Sequence, residues 1–336
     1  MKKIFFAGNP FGFGGPRQVN RNLLKHFDDR VAFLHHSNKI LYFIEMMFKI
    51  TVAKVVVFSG YSRYDKIPLL YAGLLGKKII YIMYGCAELE CKLNKEVNPI
   101  ALEMSKRMIY KSNLILCVSQ LHMKRMSEFY KNYADKMDFL TNGINWEECN
   151  KIVCSNSEKY KNTIVLIGGG RITKRNRQVC QAVEELNDEG NDLHVYVYGG
   201  IERNSNEVNL IKQYKCVEYR QSIPHSDFIK DLQKMHIFVQ NSEFEPFSLG
   251  VVEALCCGCD ILISQYVGAK EYIKGLDNND IIFNPQDVDE IKNKLRLLLY
   301  NSNNMRLMNS IDKEQSSTAY AADKLINIGL KLLIAR

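Results

Sequence analysis

Short aliphatic runs without polar alternation recur along the chain, and between them apolar residues return every three or four positions. In the first half the runs are Ile4–Ala7, Ala32–His35, Val55–Phe58, Ile79–Met83, Leu114–Val118 and Asp138–Leu140. Runs of this kind suit strands buried on both faces. Periodic stretches near 17–27, 39–52, 66–76, 98–111 and 120–131 predict helices. The alternation of the two predicts a parallel sheet with helical crossovers. Thr141-Asn142-Gly143-Ile144-Asn145 is turn-rich and a polar stretch continues to Asn162, so a linker is expected there. The pattern then restarts. Strands are expected at 163–168, 193–198, 216–219, 237–240, 260–263 and 281–283, and helices at 175–189, 204–213, 226–234, 249–257 and 287–300. A last helical stretch, about 317–336, is free to pack anywhere, the first domain included. The expected division is 1–148 and 149–316, two doubly wound α/β domains. Such sheets bind ligands beyond the carboxyl ends of their strands. The chemistry is therefore expected in loops after strands, on either side of a cleft between the domains.

Composition narrows the class. The 336 residues are 46% hydrophobic and 24% charged, which excludes wholesale disorder and fibrous architectures. The longest apolar candidate for a membrane span, Ile67–Tyr84, is broken by Lys77-Lys78. The apolar run after Lys2-Lys3 stops at Gly8-Asn9-Pro10, too short for a signal peptide. The ten cysteines are accordingly expected as reduced thiols of a cytoplasmic protein. The net charge of +8 is confined to the first half: residues 1–150 hold 22 Lys/Arg against 13 Asp/Glu, the remainder 23 against 24. A basic half can face anionic lipid, nucleic acid or a phosphorylated substrate, or it can be a solvated lysine-rich surface. No nucleic-acid reading motif or aromatic stacking cluster accompanies the charge, so no nucleic-acid partner is expected.

The stretch richest in chemistry is Ser242-Glu243-Phe244-Glu245-Pro246-Phe247-Ser248-Leu249, running on through Glu253-Ala254 to Gly258. A predicted strand feeds a polar loop, and the loop feeds an apolar helix. Backbone N–H groups near Phe247, Ser248 and Leu249 would sit at the helix N-terminus, a ready site for phosphate or diphosphate. On spacing alone, Glu245 reads equally as a charge complementing the helix dipole and Glu253 as an exposed helix residue.

This stretch resembles the E-x7-E signature of retaining GT-B glycosyltransferases, in particular glycosyltransferase family 4. Ser242, Glu245, Phe247, Leu249, Glu253, Ala254 and Gly258 match in register; Pro246, Ser248 and Asp260 depart from it. Other segments match in the family's order: the Gly-rich loop Gly12-Phe13-Gly14-Gly15-Pro16-Arg17, Asn142-Gly143-Ile144-Asn145, Gly170-Arg171-Ile172-Thr173-Lys174 and Tyr198-Gly199-Gly200. The resemblance covers nearly the whole chain. It implies the GT-B fold, two Rossmann-like domains facing across a cleft, with acceptor on the first and nucleotide-sugar donor on the second.

The resemblance also implies roles. Arg171 and Lys174 would grip the donor diphosphate with no metal, Arg as a fork of donors and Lys as a point charge. Glu253 would bind the nucleotide ribose and Glu245 the hydroxyls of the transferred sugar. The amides of Phe247, Ser248 and Leu249 would contact the diphosphate or sugar, and Gly14 and Gly15 would let the first-domain backbone approach. The loop Tyr219–Ile223 is where such proteins meet the base. Tyr84-Gly85 stands where the family often has His-Gly, pointing to a changed donor preference, a different local alignment or reduced activity. The implied activity is retaining transfer from a nucleotide-diphosphate sugar, UDP-sugar favoured, to a glycan or polyprenyl-linked acceptor in bacterial surface polysaccharide synthesis. No cofactor is implied. The family mechanism has no clear enzyme nucleophile, so Glu245 and Glu253 are not read as a glycosidase pair.

Other features are set aside. Cys256-Cys257-x-Cys259 falls where the family has small buried residues and reads as packing. Gly12-x-Gly14 opens like a dinucleotide fingerprint, but Arg17 holds the third glycine position. His35, His36 and His122 read as surface or satisfied histidines. The apolar residues of Lys39–Thr51 read mainly as an amphipathic core helix, with peripheral contact to an anionic membrane as the competing role, on the inner face of the cytoplasmic membrane. Two rivals to the transferase remain: a catalytically silent nucleotide-sugar-binding subunit, and another GT-B enzyme such as a sugar-nucleotide epimerase.

Overall fold

Every aliphatic run of the first half forms a strand, because such a segment has no polar side to leave in water. In a computed structural model describing residues 3–12, 14–153, 159–201 and 205–334, the chain divides into two units. The first is Met1–Leu89, Val97–Asn145 and Lys313–Arg336; the second is Glu90–Glu96 and Trp146–Asp312. Phe13 of the glycine-rich loop, Cys154–Glu158 of the expected linker and Asn204 of an expected helix lie outside the described residues.

In chain order the first part runs β1 (Ile4–Phe6), α1 (Gly15–Leu24), β2 (Val31–Phe33), α2 (Lys39–Val52), β3 (Val55–Ser59), α3 (Lys66–Leu74), β4 (Lys78–Met83), α4 (Ala87–Asn94), α5 (Pro99–Lys111), β5 (Leu114–Cys117), α6 (Gln120–Phe129) and β6 (Met137–Phe139). The strands form one parallel sheet in the order β2-β1-β3-β4-β5-β6. Its centre is in register through Phe5↔Val56 and Val56↔Ile79; the inner strands β1, β3, β4 and β5 are almost wholly buried, and the edge strands β2 and β6 are half-buried. Helix starts follow their caps. Asn38 accepts from the amides of Ile40 and Leu41 ahead of α2, and Asn98 from Ala101 ahead of α5, where Pro99 takes the first helical position.

The second part runs α7 (Trp146–Val153), β7 (Thr163–Ile167), α8 (Asn176–Asp188), β8 (His194–Tyr198), α9 (Glu207–Ile211), β9 (Val217–Arg220), α10 (His225–Leu232), β10 (Ile237–Gln240), α11 (Leu249–Cys256), β11 (Asp260–Ser264), β12 (Ile281–Ile282), α12 (Val288–Tyr300), α13 (Asn304–Asn309) and α14 (Thr318–Ile334). The parallel sheet order is β12-β11-β10-β7-β8-β9. Val179, Val183 and Leu186 of α8 and Ile291 and Leu295 of α12 share a core with Ile164, Leu166 and Val197 of the sheet.

α14 returns to the first unit, where it packs on α1 and along β1, β3 and β4. Its start is held by the Asn142–Asn145 element: the Ile144 amide donates to the Ser316 carbonyl at 2.7 Å and the Thr318 amide to the Ile144 carbonyl at 3.1 Å. Gly143 sits at φ 73, and a Cβ there would fall 2.6 Å from the Thr318 Cα. The short helices α4, α7 and α13 were not expected. Each is about two turns long, too short for a period to show; α7 lies where a linker was expected and buries Cys149.

Candidate active site

In the second sheet the strand order reverses between β7 and β10, so the loops leaving these two neighbours diverge and leave a crevice at the strands' carboxyl ends. The loop after β7 carries Arg171 and Lys174; the loop after β10 carries Glu245 and leads into α11. Chain positions 71 residues apart therefore meet at one point.

The β7 loop is shaped by glycine. Gly169 and Gly199 have φ values of 54 and 139 and lie backbone to backbone; a Cβ on Gly169 would fall 2.3 Å from the Gly200 carbonyl oxygen. The Gly169 amide donates to the Tyr198 carbonyl at 2.9 Å, and Tyr219 Oη donates to the Gly199 carbonyl at 2.6 Å. The glycine turns after β7 and β8 thus form one structure, followed by a single 3₁₀ turn, Ile172–Lys174. Arg171 precedes that turn and is exposed. Lys174 closes it and is buried, its ammonium ion-paired with the Glu245 carboxylate.

The β10 loop is held from behind. The Gly268 amide donates to the Glu245 carbonyl at 3.0 Å and the Ala269 amide to the Phe247 carbonyl at 2.8 Å. Phe247 is buried, its ring 6.0 Å from that of Tyr272. Ser248 opens α11 at φ 77, a left-handed conformation disfavoured for a residue with a Cβ. Its hydroxyl donates to buried Gln240 Oε1 at 3.4 Å and provides no side-chain cap, so the positive end of the α11 dipole faces the loop that holds Glu245. One turn further on, Glu253 is hydrogen-bonded to His225 Nε2 at 2.9 Å, at the start of α10. A second pair supports the loops: Arg175 Nη2 donates to Glu243 Oε2 at 2.7 Å, and Gln286 Nε2 to Glu243 Oε1 at 2.6 Å. This arrangement suits an anionic ligand, with cations and helix amides for phosphate and carboxylates for hydroxyl groups.

Of the expected residues, the structure brings Lys174 and Glu245 into contact and strings Phe247, Ser248 and Leu249 along the same turn. Gly14, Gly15 and Tyr84 lie in the first unit, and Glu253 pairs with a histidine the sequence did not mark. Gly14 stands at φ 115 just before α1, and neither Gly14 nor Gly15 has an atom within 4 Å of where a Cβ would be. Tyr84 leaves β4 toward the reversal between β1 and β3. Its hydroxyl shares a hydrogen bond with Ser59 Oγ at 2.8 Å and reaches Asn20 Oδ1 at 3.3 Å. Burial pushes its ionisation well above that of an ordinary tyrosine, so it serves as a neutral hydrogen-bonding group. His225 and the Arg175–Glu243 pair escaped the sequence because no spacing links them. Cys256, Cys257 and Cys259 are buried, and Cys259 Sγ lies 3.2 Å from the Leu232 carbonyl.

Residues 151–315 match the family model of Glycosyl transferases group 1. No curated protein matches the sequence. Solved structures that resemble the chain include Anabaena HepE in complex with UDP, at TM-score 0.67 and 12% identity over 98% of this chain and 100% of that one. The α,α-trehalose-phosphate synthase (UDP-forming) of Burkholderia xenovorans, in complex with glucose-6-phosphate, matches at TM-score 0.70 and 10% identity over 98% and 100%. Sucrose-phosphate synthase of Thermosynechococcus elongatus matches at 0.68 and 13% over the full length of both chains. The two-sheet fold is that of GT-B proteins, and the family match with this fold supports a GT-B glycosyltransferase.

Proposed function

We propose that the chain is a retaining glycosyltransferase of the family 4 type. It moves a sugar from a nucleotide-diphosphate sugar, UDP-sugar favoured, to a glycan or lipid-linked saccharide in bacterial surface polysaccharide synthesis. The observation that carries this reading is the meeting of Lys174 and Glu245 at the β7/β10 reversal, beside the N-terminus of α11. UDP is favoured because several structural relatives hold it or are named for forming it.

In this reading residues 149–316 bind the donor and residues 1–148 the acceptor. Arg171, Lys174 and the amides of Ser248 and Leu249 receive the diphosphate and offset the charge that grows on it as the glycosidic bond breaks, without a metal ion. Glu245 accepts hydrogen bonds from sugar hydroxyls; its pairing with Lys174 suits that role better than nucleophilic attack. Glu253, oriented by His225, accepts from the ribose hydroxyls. The acceptor hydroxyl attacks from the face the diphosphate leaves, its proton passing to the departing phosphate oxygen. The protein then works in the cytoplasm, at the inner face of the membrane when the acceptor is lipid-linked.

The test is thermal stability against UDP, GDP, ADP, CMP and their sugars, followed by nucleotide release with candidate acceptors. Ligand at 100-fold over its dissociation constant stabilises by about 2.7 kcal/mol. The expected result is a rise with UDP, reduced in Glu253→Ala by about 1.5–3 kcal/mol of binding. No rise with any nucleotide would overturn the reading. Binding without nucleotide release from any donor–acceptor pair would favour the silent subunit, a rival motivated by Tyr84 being engaged with Ser59 and Asn20.

A further inference from the structure

The 3₁₀ turn Ile172–Lys174 follows Arg171 and closes on Lys174, and its first amides have no partner inside the turn. Arg171 provides no side-chain cap for them. An acceptor comes instead from α4, 79 positions away in sequence: Asn94 Oδ1 accepts from the Thr173 amide at 3.0 Å. Thr173 is buried, so its amide cannot take water in place of Asn94 unless the turn moves. The Thr173 carbonyl accepts from the Glu243 amide at 2.9 Å. The middle residue of the turn is thus held from both sides, by α4 and by the β10 loop.

Asn94 is itself firmly placed. It ends α4, and Lys95 follows in the left-handed region at φ 54. The Glu96 amide donates to the Cys91 carbonyl at 3.0 Å and the Lys95 amide to the Lys92 carbonyl at 3.4 Å, the bonding pattern of a Schellman close. The short segment Glu90–Glu96 belongs to the second unit, although the chain on either side of it belongs to the first. No sequence motif marked Asn94, because the contact joins two segments that only the fold brings together.

We propose that Asn94 is a positioning residue for the donor diphosphate: by taking the Thr173 amide, it fixes the turn that presents Arg171 and Lys174. The inference rests on the reading that these two cations receive a diphosphate. Lys174 must serve the Glu245 carboxylate and the ligand from one backbone position, so the turn beneath it has to hold still. Without Asn94 the Thr173 amide needs another acceptor, and the turn shifts to find one. A displacement of about 1 Å in a binding group can cost up to ~100-fold. In the same reading, base and ribose are met by the Tyr219–Ile223 loop and Glu253, which the turn does not carry. The loss therefore falls on the phosphate part of the ligand.

The probes are UDP and uridine, or the matching diphosphate and nucleoside for whichever base the nucleotide panel selects. Affinities of the full chain are read by calorimetry, and amide exchange of the Arg171–Lys174 peptide by mass spectrometry. Asn94→Ala should weaken UDP binding about tenfold, leave uridine binding unchanged and speed the exchange. Asn94→Asp keeps an oxygen for the Thr173 amide and should restore slow exchange and most of the UDP affinity. An unchanged near-UV circular dichroism spectrum checks folding; Asn94→Ser, whose hydroxyl stops one atom short, carries the same comparison where Asn94→Ala does not fold. Equal losses for UDP and uridine would overturn the proposal. So would unchanged exchange, or faster exchange with undiminished UDP affinity. Failure of the unsubstituted protein to bind any nucleotide diphosphate would overturn the proposed function itself, and faster exchange alone would then leave Asn94 as a structural cap.

Discussion

At the scale of single residues, the centre of the candidate site is a buried ion pair that holds itself together. Lys174 and Glu245 are each largely withdrawn from water, so each depends on the other for compensation. Lys174→Met should therefore destabilise the protein by about 3 kcal/mol, because the Glu245 carboxylate loses its partner. The double variant Lys174→Met/Glu245→Gln should recover much of that loss while remaining inactive. Urea denaturation midpoints of the two variants check this, and a double variant weaker than the single would show that the pair is not the source of the loss. Ser248 adds a different kind of tension, a left-handed conformation held by a residue with a Cβ where the resembled family has glycine.

At the scale of elements, α2 is pinned at one side and bare at the other. The Glu45 carboxylate accepts from the amides of His35 and His36 after β2, at 3.0 and 3.2 Å to its nearer oxygen, and pairs with Lys49. Burial alone would raise this carboxyl, but Lys49, His36 and the two amides outweigh it and hold it at about 2. Since the folded value lies below the unfolded one, the stabilisation is fully present above the ordinary carboxylate range. It is lost as the pH falls from there toward about 2. Glu45→Gln should flatten that acid limb of the stability profile, read from urea midpoints at a series of pH values. An unchanged limb would place the acid sensitivity elsewhere.

At the scale of the molecule, each unit is completed by chain from a distance. The first receives α14 from the far end of the sequence, docked by the Asn142–Asn145 element. Gly143→Ala should cost about 2 kcal/mol or more, because the added Cβ meets the Thr318 backbone and the residue must also hold φ 73. The loss should appear as a lower thermal midpoint and faster proteolysis of α14. A neutral result would mean that the junction yields without strain.

The twelve strands among the described residues, the longer helices, the loops bearing Arg171, Lys174 and Glu245, and the helix bearing Glu253 were legible in the sequence. Parallel strands buried on both faces must be aliphatic, long helices must repeat every three or four residues, and glycine-rich and acidic loops stand out between them. Short helices such as α7 and α13 were not legible, since two turns carry too few residues for a period. Nor were the pairings of Lys174 with Glu245, Arg175 with Glu243 and Glu253 with His225, because only the β7/β10 reversal and the packing of α10 bring those positions together. The apolar content of α2 was visible in the sequence, but which of its residues the core would take was decided by the sheet beneath it. Composition and period determine that an apolar side chain must be covered; the tertiary structure decides whether the protein itself covers it.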